Sequence, residues 1–212
     1  MAARPRWQRG RGRHFLRSSK LAAELVRAAE IGRGDLVLDL GAGTGALTRA
    51  LARAGARAVP VVIDAELAAG LRRCFDDVVE GDALRVPLPR EPFKIVANLP
   101  FGSGTAILRR VLDPRRPLER ADVIVEWGLA AKRAAVWPST QLSSDWGAWF
   151  ELSVTRRLPR CVFAPSPSVD GALLRIVRRG EPLVPVAEAR AYAPFLRAAI
   201  ATGRVRSCRG RR

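Results

Sequence analysis

Histidine is nearly missing from this chain: in 212 residues only His14 is present, within a basic N-terminal stretch. A histidine-dependent catalytic triad is therefore not expected. Cysteine is also scarce. Cys74, Cys161 and Cys208 form neither a CxxC pair nor an even framework, so no disulfide scaffold and no metal site are expected. No run approaches 18 apolar residues and no apolar core follows the N-terminus, so neither a membrane segment nor a secretory leader is expected. Lysine is rare too, 3 against 34 arginines, a bias that a GC-rich genome would produce by itself. Codon usage does not explain 37 basic against 20 acidic residues, a net charge of +17 and a pI near 11.6. That excess points to a polyanionic partner, and nucleic acid fits best.

Asn98-Leu99-Pro100-Phe101, at the end of a hydrophobic run, carries the most chemistry. The Asn side-chain oxygen and the Leu99 carbonyl can both accept hydrogen bonds from one exocyclic amino group. Pro100 stiffens the turn that aims them, and Phe101 offers a ring on which a base can stack. Upstream, the acidic strand residue Asp39 precedes Gly41-Ala42-Gly43-Thr44-Gly45 and a helical run. Such glycines let the backbone approach a ligand closely, while the helix start supplies free N–H groups. Gly41-x-Gly43-x-x-Ala46, with Asp64 about 20 residues on, also satisfies a relaxed dinucleotide fingerprint. An S-adenosylmethionine loop has the same outline. The distance to Asn98, with the pair Asp82-Ala83 between, favours the methyl donor.

Strands are expected over 35–40, 59–63, 75–80, 93–97 and 121–126, alternating with helices over 46–54, 66–74, 105–112 and 129–136. A capped helix over 19–30 precedes them. This alternation specifies an α/β, doubly wound, mostly parallel sheet. Residues 149–157 and 172–178 are expected to add an antiparallel edge hairpin. Ligands of such sheets bind at the carboxyl ends of strands, where Gly41, Asp64, Asp82 and Asn98 all fall. Beyond Gly180, Pro182 and Pro185 break the chain, a single helix over 186–200 follows, and residues 204–212 form a basic, acid-free tail. The expected organisation is a basic arm over 1–13, a catalytic domain over 14–180 and a short helical segment over 181–212. Trp146 and Trp149 read as core or edge-strand packing.

From Arg13 to Arg179 the chain resembles the rRNA adenine N6-methyltransferases, which comprise the Erm macrolide-resistance methylases and the small-subunit rRNA dimethylases. Arg13-His14-Phe15-Leu16 resembles the family's Gln-Asn-Phe-Leu cofactor motif. Phe163-Ala164-Pro165-Ser166-Pro167-Ser168-Val169-Asp170 resembles its Phe-x-Pro-x-Pro-x-Val-Asp loop, about 60 residues after Phe101. The resemblance implies a Rossmann-like class I methyltransferase sheet, with only the beginning of the family's C-terminal helical bundle. It implies S-adenosylmethionine held by His14, Leu16, Gly41, Gly43, Asp82, Ala83 and Asn98, with Asp82 on the adenine amino group. Val62, beside Asp64, stands where the family has an acid for the ribose hydroxyls, and a valine cannot accept those bonds. Catalysis is implied at Asn98, Leu99, Pro100 and Phe101, with Phe163 covering the opposite face of an extruded base.

For RNA contact the sequence offers Arg4, Arg6, Arg9, Arg11 and Arg13 around Trp7, with Lys132 and Arg133 farther on. The stretch Glu126-Trp127-Gly128-Leu129-Ala130-Ala131-Lys132-Arg133 is similar to actinobacterial Erm sequences. The resulting expectation is an enzyme that methylates adenine N6 in 23S rRNA and confers macrolide resistance. The rivals are a 16S rRNA dimethylase and a catalytically impaired RNA-binding factor, the latter motivated by Val62. Residues 1–23 are Arg-rich and acid-free like a transit peptide. The cofactor-like motif begins too early for one, so a monomer in bacterial cytoplasm is expected.

Overall fold

The structure, a computed structural model, describes residues 14–135 and 140–202. The arginines of the expected N-terminal arm (Arg4, Arg6, Arg9, Arg11, Arg13), position 136 and the basic tail lie outside them.

The first helix, α1 (Ser19–Ala28), begins where Ser18 accepts a hydrogen bond from the Leu21 N–H at 3.1 Å. It buries Leu21, Ala22, Leu25 and Val26 along one stripe. Its end is closed from the sheet, where Arg120 and Arg175 both donate to the Ala28 carbonyl. Next come β2 (Leu36–Leu40), α2 (Ala46–Arg53), β3 (Arg57–Val62), α3 (Ala65–Arg72) and the short β4 (Val79–Glu80). Then follow β5 (Phe93–Asn98), α4 (Gly104–Val111) and β6 (Leu118–Glu126). Earlier, Phe15–Leu16 forms a short β1; β7 (Phe150–Leu158), β8 (Phe163–Ala164) and β9 (Gly171–Arg178) complete the strands.

Seven strands form one sheet in the order β4-β3-β2-β5-β6-β9-β7. The first five run parallel, while β9 pairs antiparallel with both β6 and β7. The expected edge hairpin is present, with β7 at the edge. Alternation along β5 sorts the core onto two faces: Phe93, Ile95 and Ala97 pack towards α4, while Val96 joins Val37, Ile124 and the α1–α2 layer. The strand order reverses between β2 and β5, and the crevice of a doubly wound sheet opens at that switch. Gly41 and the Asn98 turn flank it.

Several elements differ from the sequence reading: β1 and β8 were not expected, and the strand expected over 75–80 is confined to Val79–Glu80. The helix expected over 129–136 starts at Trp127, directly on the end of β6, as α5 (Trp127–Arg133). An unexpected helix, α6 (Gln141–Gly147), is capped by Thr140, which accepts from the Ser143 N–H at 3.2 Å. The last helix, α7 (Ala189–Ala201), packs against the domain. There Trp149 donates through Nε1 to the Val184 carbonyl at 2.8 Å and meets the Tyr192 ring edge-on at 5.2 Å. Trp146 and Trp149 are buried, as expected.

Candidate active site

Two cavities meet at the turn after β5. The first is lined by His14, Phe15, Gly41, Gly43, Val62, Ile63, Asp64, Leu67, Asn98, Leu99 and Pro100 and holds about 480 Å³ including its open mouth. The second lies across Pro100 and is lined by Phe101, Gly102, Gly104, Thr105, Val125, Glu126 and Leu129. Six of the expected cofactor residues, His14, Gly41, Gly43, Val62, Asp64 and Asn98, are thus gathered around one space, although they come from four separate stretches of chain.

The glycine loop shapes that space. Gly41 and Gly43 have φ of +79° and +55°. A Cβ on Gly43 would lie 2.4 Å from the Phe15 ring, and one on Gly41 would touch Pro100 at 3.4 Å. The cradle is therefore sized for a backbone without side chains, roofed by Phe15. Leu16 borders an adjoining cleft with Asp39, Ala42 and Thr44. Beneath the loop, Asp39 is buried and accepts from Thr48 Oγ1 at 2.6 Å. Burial pushes its carboxyl up to about 7, although the bonds from Thr48 favour the ionised form.

Val62 is 3 % exposed and packs with Ala68 and Leu71, giving the first cavity an apolar wall. Asp64 also faces the cavity, but its Oδ1 accepts from the N–H groups of Glu66 (3.1 Å) and Leu67 (3.2 Å) and caps α3. Asp82 and Ala83 lie outside the cavity walls. Asp82 Oδ1 accepts from the Leu84 N–H at 2.8 Å, and its loop is tied to α4 by Arg110, which donates to the carbonyls of Ala83 and Val86.

On the wall of the first cavity, Asn98 Nδ2 donates to the His14 carbonyl at 2.6 Å. That bond fixes the amide's orientation, and Asn98 Oδ1 is left buried with no partner among the described residues. An orphaned buried acceptor costs about 1–3 kcal/mol, so this oxygen is suited to receive a ligand N–H. The Leu99 N–H donates to the Ile124 carbonyl at 3.0 Å, anchoring the turn to β6. His14 also reaches across the site: its Nδ1–H donates to the Pro165 carbonyl at 2.8 Å, and its ring lies 5.3 Å from Phe101.

Two residues expected to contact RNA pack into the fold. Phe163 is fully buried and meets Phe101 edge-on at 5.8 Å, supporting that ring from behind. Arg133 turns inward, donating to Thr140 Oγ1 at 2.6 Å and lying over the Trp146 ring. Lys132 remains exposed. Neighbouring residues on a helix point about 100° apart, so a Lys-Arg pair cannot place both groups outward equally. Phe15, Ile63, Leu67, Thr105 and Glu126 line the cavities without having been singled out from the sequence. Phe15 and Glu126 sit inside stretches whose resemblance was noted, whereas Thr105 carries no local signal. Among the described residues no acidic, histidine or cysteine cluster could hold a metal ion, and no helix is long and apolar enough to cross a membrane.

Known proteins resemble this chain over most of its length. A family model described as ribosomal RNA adenine dimethylase matches residues 6–206. An rRNA adenine N-6-methyltransferase of Corynebacterium diphtheriae is 33% identical over 86% of this chain and 75% of its own length. The mycinamicin-resistance protein MyrB of Micromonospora griseorubida is 36% identical over 82% of this chain, which spans only 56% of that protein. A ribosomal RNA small subunit methyltransferase A of Chlorobaculum parvum is 32% identical over 89% of this chain and 71% of that protein. Among solved structures, the 23S rRNA methyltransferase ErmE superposes with a TM-score of 0.77 at 31% identity, covering 88% of this chain and 79% of that one.

Proposed function

The chain belongs to the ribosomal RNA adenine dimethylase family, and from that premise we propose that it methylates the N6 amino group of an adenine in the peptidyl-transferase region of 23S rRNA, conferring macrolide resistance. S-adenosylmethionine, as methyl donor, would supply an electrophilic methyl on a sulfonium. Gly41 and Gly43 would take its amino-acid end against bare backbone, with Val62, Ile63 and Leu67 providing an apolar wall. Asp82 would accept from its adenine amino group. Asp64 Oδ1 is held as a helix cap, which leaves at most its second oxygen for the ribose hydroxyls.

The observation that carries the reading is Asn98 Oδ1, a buried acceptor with no donor among the described residues, on the wall of the first cavity, which shares Pro100 with the second. An adenine entering from the Phe101 side would bring the missing N–H. The Leu99 carbonyl would accept the second N–H. Together they would draw the amino group towards tetrahedral geometry, localise its lone pair and stabilise the positive charge that grows during in-line attack. Phe101 would stack on the extruded base, with Phe163 holding the ring at its back. No side chain is needed as a strong base, because the proton leaves after the methyl is bonded.

The 23S target is supported by the likeness to ErmE and the resistance role by the likeness to MyrB; the similarity to small-subunit methyltransferase A supports 16S rRNA as the second reading. Transfer of labelled methyl to separated 23S and 16S rRNA, with primer extension to locate stops, decides between them. A stop in the 23S peptidyl-transferase region is expected. Label confined to 16S would overturn the 23S assignment. Absence of label together with absence of cofactor binding would make Val62 the mark of a lost activity.

A further inference from the structure

The carboxyl edge of the sheet carries a second aromatic feature beside the base cavity. Trp127, the first residue of α5, is half-buried, and the Arg157 guanidinium lies over its ring at 4.9 Å from the centroid. Arg157 is 61% exposed, yet it is pinned flat: its Nε and Nη2 both reach Asp170 Oδ2, at 3.0 and 2.9 Å. Asp170 is itself fixed, because Oδ1 accepts from the Arg160 N–H at 3.0 Å and its carbonyl accepts from the Trp127 N–H at 2.9 Å. Holding an exposed arginine in one rotamer costs side-chain entropy, and a surface ion pair returns little stability for it. The arrangement therefore suits something other than folding.

Its chemistry selects the ligand. Asp170 compensates the charge of Arg157 and takes its Nε–Nη2 edge, which weakens the group as a phosphate clamp. What remains outward is a planar cationic face backed by indole, the surface on which an unpaired base stacks. Its position fits as well. Strand register sets Asn98 against Ile124, Glu126 against Gly171 and Gly171 against Leu158. Arg157 thus lies three strand spacings from the Asn98 turn, roughly 14 Å across the sheet, and Trp127 only one.

We propose that the Trp127–Arg157 stack is a platform for the base of an unpaired RNA nucleotide flanking the target adenine, a contact that would help hold the target extruded. The proposal rests on the RNA-methylating reading above, and its test separates the two. The probe is a fluorescent hairpin RNA presenting an unpaired adenine between unpaired neighbours, with versions abasic at either neighbour. Binding is followed by anisotropy, and methyl transfer to the same RNAs is measured in parallel.

One abasic RNA should bind wild-type protein roughly five- to a hundredfold more weakly than the intact RNA, the range of one lost base stack. Trp127→Ala and Arg157→Met should show the same loss on intact RNA and no further loss on that abasic RNA. Arg157→Lys, which keeps the charge but not the plane, should behave like Arg157→Met. Arg157 is exposed, so its variants remain informative if Trp127→Ala folds poorly. Recovery by lysine, equal losses on intact and abasic RNA, or unchanged binding in every variant would each overturn the platform; unchanged binding would leave the stack to a different partner. Binding with the abasic signature but without methyl transfer would overturn the proposed activity and support the platform. No binding by the wild type would overturn both.

Discussion

Replacing Val62 by glutamate tests the cofactor site most directly, because stability and binding should move in opposite directions. Val62 ends β3, lines the first cavity and is 3 % exposed. A carboxylate there could accept hydrogen bonds from both ribose hydroxyls, worth about 1.5–3 kcal/mol for a charged acceptor. At tenfold per 1.4 kcal/mol, cofactor binding should tighten about tenfold to a hundredfold. Asp64 Oδ1 is committed to the Glu66 and Leu67 N–H groups, and turning that oxygen to the ribose would cost about 1 kcal/mol of capping. The cost falls on the free protein. Losing a buried valine removes about 1.5–3 kcal/mol of apolar burial, and each kcal/mol moves Tm about 2–4 °C at this chain length. Without ligand the melting temperature should therefore drop by roughly 3–12 °C, and saturating ligand should recover much of it. Titration calorimetry with S-adenosylhomocysteine, paired with thermal unfolding, measures both. Val62→Gln, a neutral acceptor, should gain about 0.5–1.5 kcal/mol of binding. A folded Val62→Glu protein that binds no more tightly than wild type would refute the placement of Val62 at the ribose.

Asn98→Ala should abolish methyl transfer while changing cofactor affinity less than a substitution at Gly43 does; turnover at the wild-type rate would remove the amino-group mechanism. Gly43→Ala should weaken cofactor binding and lower Tm, because its Cβ would lie 2.4 Å from the Phe15 ring at a φ of +55°. Calorimetry and melting should show both losses together. Asp39 supplies a pH test. Its carboxyl titrates at about 7 in the folded protein against about 3.9 unfolded, so the folded state holds the extra proton between these values. The carboxyl's contribution to stability thus falls as pH rises from about 4 to about 7, by up to about 4 kcal/mol. Asp39→Asn should remove that slope, so its stability relative to wild type should be more favourable at pH 8 than at pH 5 in urea unfolding. An equal difference at both pH values would show that Asp39 ionises normally.

What was legible in the sequence was local. A buried strand followed by glycines and a helix start announces itself through hydrophobic run, turn chemistry and periodicity, and the Asn98 turn, the Gly41–Gly45 loop and the mostly parallel character of the sheet follow from such signals, whereas the strand order does not. The pairing of β1 with β8 was not legible, because it joins Phe15 to Ala164 and Leu16 to Phe163 across nearly the whole chain. That pairing carries His14 and Phe15 to the glycine loop. Helix α6 was missed because seven residues with one cap hold too little periodicity to stand out.

The sequence by itself determined which chemistry was available: an amide and a carbonyl beside a stacking ring, a side-chain-free cradle, and a valine in place of an acid. Tertiary structure decided which of those groups are free to act. Only packing shows that Asn98 Nδ2 is committed to His14 while Oδ1 is unpaired, or that Asp64 is held as a helix cap. It likewise turned Arg133 inward onto Trp146 and set Phe163 behind Phe101. The reason is physical. A residue type fixes what bonds a side chain can make, but burial and neighbours from distant parts of the chain determine which of those bonds are already made.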